Sequence, residues 1–140
     1  MSAETLPPIE ASPQGPTLAE LKSAVSHATT LESYNATTRV LHVINGEHYS
    51  GAERVQDLLG QHLPRFGYQA AFACVKPGRF ADRRQDQTSP VYNLPMTSRF
   101  DIRVARQLSE IIRKQGFALV HAHTPRSAMV GRLAAWFAKV

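Results

Sequence analysis

RVLHVINGEHYSGAERVQDLLGQHLPRFGYQAAFACV, residues 39–75, is the stretch on which the fold turns. Its first six residues, Arg39–Ile44, form a short β-rich apolar run that stops at Asn45-Gly46, a strand-ending pair. A polar loop then leads to Ser50-Gly51, after which the period becomes helical. Val55, Leu58, Leu59 and Leu63 fall on one face and form the apolar stripe expected to meet a core. Pro64 in the last turn and Gly67 just past it end the helix. QAAFACV, residues 69–75, is a second strand. Strand, sharp turn, helix and strand in 37 residues are the start of a βαβ unit.

The pattern continues downstream. KPGRFADRRQDQTS (76–89) is a polar connection with room for a short helical turn, and PVYNLP (90–95) is a third, short strand. Asp101 is placed to cap a helix running through residue 115. Its stripe is Ala105, Leu108, Ile111 and Ile112, and Gly116 closes it. FALVHAH (117–123) is a fourth strand. Thr124 then stands as a cap with Pro125 at the first helical position, a strong start signal. Regular alternation implies parallel strands joined by right-handed crossovers, an α/β Rossmann-like layer over residues 38–140. Residues 1–37 differ. MSAETLPPIEASPQGPT is rich in Pro, Ser and Thr and can bury little, so a disordered leader is expected, with a short helix around Leu18, Leu21 and Val25.

Composition excludes several functions. With 140 residues the chain is one ordinary domain. Its formal charge is +5 and its pI about 9.8, which favours anionic partners. The basic residues are scattered, as in RFADRR and IIRKQG, whereas phosphate tracking along nucleic acid needs clustered Lys and Arg; no nucleic-acid partner is expected. The one cysteine, Cys74, lies in an apolar run. Neither an internal disulfide nor a multi-cysteine zinc site can form. There is no apolar signal region and no stretch long enough to span a bilayer. A cytoplasmic setting is expected, and peripheral contact with a membrane face stays open.

Two segments fall at the carboxyl ends of strands, where open parallel sheets bind ligands. One is the turn at 45–52; the other is HAHTPRS, 121–127. Both lead into helix N-termini, whose free N–H groups and dipole favour anions. Gly46 and Gly51 have four residues between them, so the dinucleotide fingerprint is absent, and no Gly-Lys-Ser/Thr of a P-loop follows. Gly46 permits positive φ, and Gly51 allows close approach to the helix start. From the residues alone, a phosphate cradle, a cleft wall and a plain turn all remain open. Glu53 can answer acceptor hydroxyls or support the helix start. Arg126, in the first turn of the last helix, can pair with an anion or stand solvated. His121 and His123 point to one side of their strand. A pair is too few ligands for catalytic zinc, and no metal site is expected. His123, nearer the strand end, is the candidate to bond a substrate, while His121 is expected to be held within the sheet. Trp136 and Phe137 on the last helix are expected in the core or, with no further chain packed beyond them, partly uncovered.

RVLHVINGEHYSGAERVQDLLGQHLPRFGYQ and FDIRVARQLSEIIRKQGFALVHAHTPRSAMVGRLAA together resemble the N-terminal domain of family 4 glycosyltransferases, over about residues 38–140. The motifs that carry the resemblance are NG…SGAERV after the first strand and VHAHTPRSA…GRLAA after the fourth. It implies the GT-B fold, a retaining and metal-independent enzyme without a cofactor, and a sheet in the order 3-2-1-4. It implies two facing Rossmann-like domains, the C-terminal one holding a nucleoside-diphosphate sugar and the N-terminal one supplying much of the site for a hydroxyl acceptor. By resemblance, Gly46, Ser50 and Gly51 match the glycine loop beside the donor diphosphate and acceptor, and His123 matches the histidine near the transferring sugar. His123 is thus the catalytic candidate, with Gly46, Ser50, Gly51, Glu53 and Arg126 binding substrate.

The family's glutamate-containing donor motif is not in this sequence. The expectation is therefore a truncated or split piece, inactive alone and completed by a donor-domain partner. Two alternatives stay open: a non-catalytic nucleotide- or phosphosugar-binding module, and a truncated product without function.

Overall fold

The alternating pattern is realised as one parallel sheet with helices on both faces. The computed structural model describes Ala19 and residues 37–98 and 101–140. Apart from Ala19 and Thr37, the expected leader and its short helix lie outside the described residues. The strands are β1 (Thr38–Ile44), β2 (Tyr68–Cys74), β3 (Val91–Asn93) and β4 (Leu119–Ala122). The helices are α1 (Gly51–His62), the five-residue α2 (Arg79–Arg83), α3 (Ile102–Gln115) and α4 (Pro125–Ala138). The sheet order is β3-β2-β1-β4 and every pairing is parallel, in agreement with the order 3-2-1-4. An antiparallel partner for β1 at residues 118–122 would have overturned the βαβ reading; instead Val40–Val43 run parallel with Leu119–Ala122.

Local chemistry explains the helix ends. The Asp101 carboxylate accepts from the Val104 backbone N–H, and Gly116 at φ 64° closes α3. Thr124 and Ser127 form a reciprocal capping box at the start of α4, with Pro125 in the first turn. Gly67, at φ 78°, ends the 3-10 turn Leu63–Phe66 into which Pro64 converts the tail of α1.

The two faces of the sheet differ in character. Leu41, Val43, Ala71 and Ala73 meet α3 and α4 through Leu108, Ile112, Val130 and Ala134, an apolar core. On the other face Ile44, Ala70, Phe72 and Cys74 pack with Phe80 of α2. The thiol of Cys74 is fully buried, and burial pushes its pKa up to about 12, so it is chemically quiet.

Helix α1 corrects the expectation from periodicity. Its buried residues are Glu53, Gln56, Asp57 and Gly60, while Val55 and Leu58 are 52% and 50% exposed. The buried set has the same helical spacing as the expected stripe but opposite chemistry. Asp57 is the reason. Its carboxylate accepts from Tyr49 Oη, from the Gln85 N–H at 2.7 Å and from the Asp86 N–H at 2.8 Å. A carboxylate that satisfies two backbone donors is held inward against hydrophobic preference. Gly60 lets this face come close, since a Cβ there would stand 2.2 Å from Asp86 Oδ2. Trp136 is 72% exposed, the partly uncovered of its two expected settings.

Candidate functional site

At the carboxyl end of β1 the chain turns through Asn45-Gly46. Gly46 has φ 83°, and a Cβ on it would meet Cys74 Sγ at 2.8 Å. Both the left-handed backbone and the close packing require glycine. The loop is pinned by backbone bonds to the segment after β2: Asn45 O accepts from Lys76 N at 2.8 Å, Gly46 O from Phe80 N and Glu47 O from Arg79 N, both at 3.2 Å. Lys76 Nζ also pairs with Glu47 at 2.9 Å. The sharp turn therefore has a reason within the fold itself. Gly51 does not: nothing lies within 4 Å of a Cβ built there.

Ser50 occupies the N-cap position of α1 but makes no side-chain cap. Its hydroxyl donates to Glu53 Oε2 at 2.9 Å. Glu53 is 7% exposed and sits in the first turn. The start of α1 thus lacks the side-chain cap that α3 and α4 possess, leaving first-turn N–H groups available to an anion. The two helix starts differ, because Thr124 caps that of α4, as expected.

The HAHTPRS segment closes the other side. Thr124 Oγ1 lies 3.4 Å from Asn45 Oδ1, linking the two predicted segments. Arg126 is exposed and near enough to Glu47 to help hold that carboxyl's pKa down, after the larger effects of Lys76. His123 is half-buried, with Nδ1 3.1 Å from Gln56 Nε2 and with Nε2 buried and unpartnered. Burial, and then the neighbouring His121, lower its pKa, so at neutral pH it is an uncharged imidazole. His121 is exposed at the open side of β4.

Two residues went unpredicted here. His42 is register-paired with His121 on the adjacent strand and faces the same side. It is 1% exposed, and burial lowers its pKa to about 4. Its ring stacks on His123 at 11° and 6.1 Å, and His121 and His123 are 4.0 Å apart by centroid. Gln56 supports His123 from α1. The sequence held a signal for His42: the order 3-2-1-4 puts β1 beside β4, so a histidine in mid-β1 belongs next to the HAH pair. A separate cleft lined by Arg39, Gln69, Ser89 and Phe117 lies at the opposite, amino end of the strands and shares none of these residues.

The site is therefore a neutral imidazole beside an uncapped helix start at the carboxyl edge of a parallel sheet. The sequence model of Glycosyltransferase Family 4 matches residues 49–140. The chain belongs to glycosyltransferase family 4. The match covers α1 through α4, and so takes in Ser50, Gly51, Glu53, His123 and Arg126; β1, with His42 and Gly46, precedes it. No curated protein and no solved structure matches. The match and the parallel sheet together make this a GT-B N-terminal domain of Rossmann-like form, with a role in sugar transfer and thus with a sugar donor and an acceptor as substrates in general. Among the described residues no helix is long and apolar enough to cross a membrane.

Proposed function

We propose that this chain is the acceptor-side part of a retaining glycosyltransferase that moves a sugar from a nucleoside-diphosphate sugar to a hydroxyl. The observation that carries the reading is the uncharged, part-buried His123 next to the only start among α1, α3 and α4 that lacks a side-chain cap. The first-turn N–H groups at Ser50-Gly51 face the diphosphate, where negative charge builds as the glycosidic bond breaks. The open space over Gly51 admits the ligand to that backbone. Arg126 supplies an exposed positive charge at the rim. His123 bonds a hydroxyl of the transferring sugar, and its neutrality lets one ring nitrogen accept while the other donates. Glu53 and Ser50 offer acceptors to the incoming hydroxyl. Gly46 serves by fixing the loop that carries them.

The donor side is held by a second Rossmann-like unit outside these 140 residues, joined to them or carried by a partner chain. Without that unit half of the preorganised electrostatics is missing, and no turnover is expected. The test is a titration of the isotopically labelled chain with nucleoside diphosphates and their sugars, followed by NMR. Shifts at the Gly51–Glu53 amides and the His123 imidazole support the reading. Shifts confined to the cleft at Arg39, Gln69 and Ser89 would replace it with a binding module of another kind.

A further inference from the structure

We propose that His42, His121 and His123 form a binding site for a borderline divalent cation such as Zn²⁺. The HAH pair alone offers two ligands; the sheet supplies the third by placing His42 in register with His121. One ring nitrogen from each of the three lies within 4.8 Å of the other two. A tetrahedral zinc with metal–nitrogen bonds of about 2.0–2.1 Å needs its ligands roughly 3.3 Å apart, so binding would draw the three rings together. Three imidazoles with an open fourth position are an established donor set for this ion.

Two further observations point to a ligand. Both ring nitrogens of His42 are buried without a hydrogen-bond partner, as is Nε2 of His123. Gln56 approaches the His42 ring but makes no well-formed hydrogen bond to it, so this imidazole, 1% exposed, keeps an unmet polar requirement that a cation shared among the three rings would meet. Gln56 then has a defined part. Its Oε1 has no partner in the recorded orientation. Turning the amide over puts that oxygen on His123 Nδ1–H, which fixes the proton there and frees Nε2 for the metal, as outer-shell groups commonly do. His121, exposed at the sheet edge, gives the ion its way in. If His123 Nε2 also meets the sugar, as proposed above, metal and donor exclude each other, and zinc inhibits transfer. That consequence rests on the proposed function; binding itself does not.

The experiment is Zn²⁺ binding to the full chain, by competition with a chromophoric chelator, with Co²⁺ as a spectroscopic stand-in. The expected result is one ion per chain with micromolar or tighter affinity, and Co²⁺ absorption of tetrahedral type. His121→Ala and His123→Ala should each weaken binding at least tenfold, and Gln56→Ala roughly 10–100-fold. His48→Ala and His62→Ala, exposed and outside the cluster, should leave it unchanged. His42→Ala can disturb folding, so the decisive variant is exposed His121→Ala, verified by circular dichroism. Affinity unaffected by His121→Ala and His123→Ala, or lost equally in His48→Ala, would overturn the proposal.

Discussion

Three glycines separate two effects that are usually entangled, and Gly46 combines both. Gly116 has φ 64° with nothing within 4 Å of a Cβ, so Gly116→Ala feels only the left-handed backbone, about 1–2 kcal/mol. Gly78 is extended, but a Cβ there would stand 2.7 Å from the Glu47 carbonyl oxygen. Gly78→Ala therefore feels only crowding against backbone, about 1–3 kcal/mol. Gly46 has φ 83° and would place its Cβ 2.8 Å from Cys74 Sγ and 2.9 Å from Cys74 Cβ. Gly46→Ala should then lose the sum, about 2–5 kcal/mol. A domain with roughly 5–15 kcal/mol to lose still folds at the lower end of that range. Urea unfolding should be followed by far-ultraviolet circular dichroism, because Trp136 is 72% exposed and reports little on the core. The expected order of midpoints is wild type, Gly116→Ala, Gly46→Ala, with Gly78→Ala above Gly46→Ala. A Gly46→Ala midpoint equal to that of Gly116→Ala would refute the close approach of the loop to Cys74.

Other outcomes follow from the same geometry. Asp57→Ala should lose about 2–5 kcal/mol, since it strands the part-buried N–H of Gln85 and the buried N–H of Asp86, whereas Leu58→Gln on the exposed side should stay within about 0.5 kcal/mol; equal urea midpoints for the two variants would mean α1 is turned the other way. His42 titrates near 4 in the folded chain against 6.5 in the unfolded one, so the unfolded state takes up the proton first as pH falls. Its contribution is whole above about pH 6.5 and is lost towards pH 4, on the order of 3 kcal/mol, with His123 acting in the same direction. His42→Leu should flatten the urea-midpoint profile over that window, and an unchanged slope would exclude a buried neutral His42. Asp101, held down to about 2 chiefly by the Thr97 N–H, acts only at lower pH. In the enzyme assembled with its donor-binding unit, His123→Ala should lower turnover by about one to three orders of magnitude, the usual loss for one preorganised polar group; full turnover would remove His123 from the site.

Most of the fold was legible because its signals are local. Strand runs, the Asp101 and Thr124 caps and the glycines at 67 and 116 each act within a few residues, and the parallel order followed from alternation and resemblance. The buried face of α1 was not legible, because a hydrophobic stripe presumes an apolar neighbour. What turns α1 is a carboxylate meeting N–H groups 28 and 29 residues further along the chain. Gly60, in step with Glu53, Gln56 and Asp57, was the one local hint of a close approach. The site divides in the same way. His123 and the 45–52 turn are marked by their places at strand ends, whereas His42 becomes part of a cluster only once β1 and β4 are laid in register.

The polar underside of α1 has a mechanical meaning. Grease permits a helix to slide or roll by a turn and still find contacts of similar quality. Asp57 does not permit it, because its two oxygens fit the Gln85 and Asp86 donors in one position alone. Helix α1 is thus indexed to the connection between α2 and β3 like a key in a keyway, and the far end of that key is Ser50-Gly51. Under the proposed function, the place where the donor's charge comes to rest is set two turns away, by a residue the donor never touches.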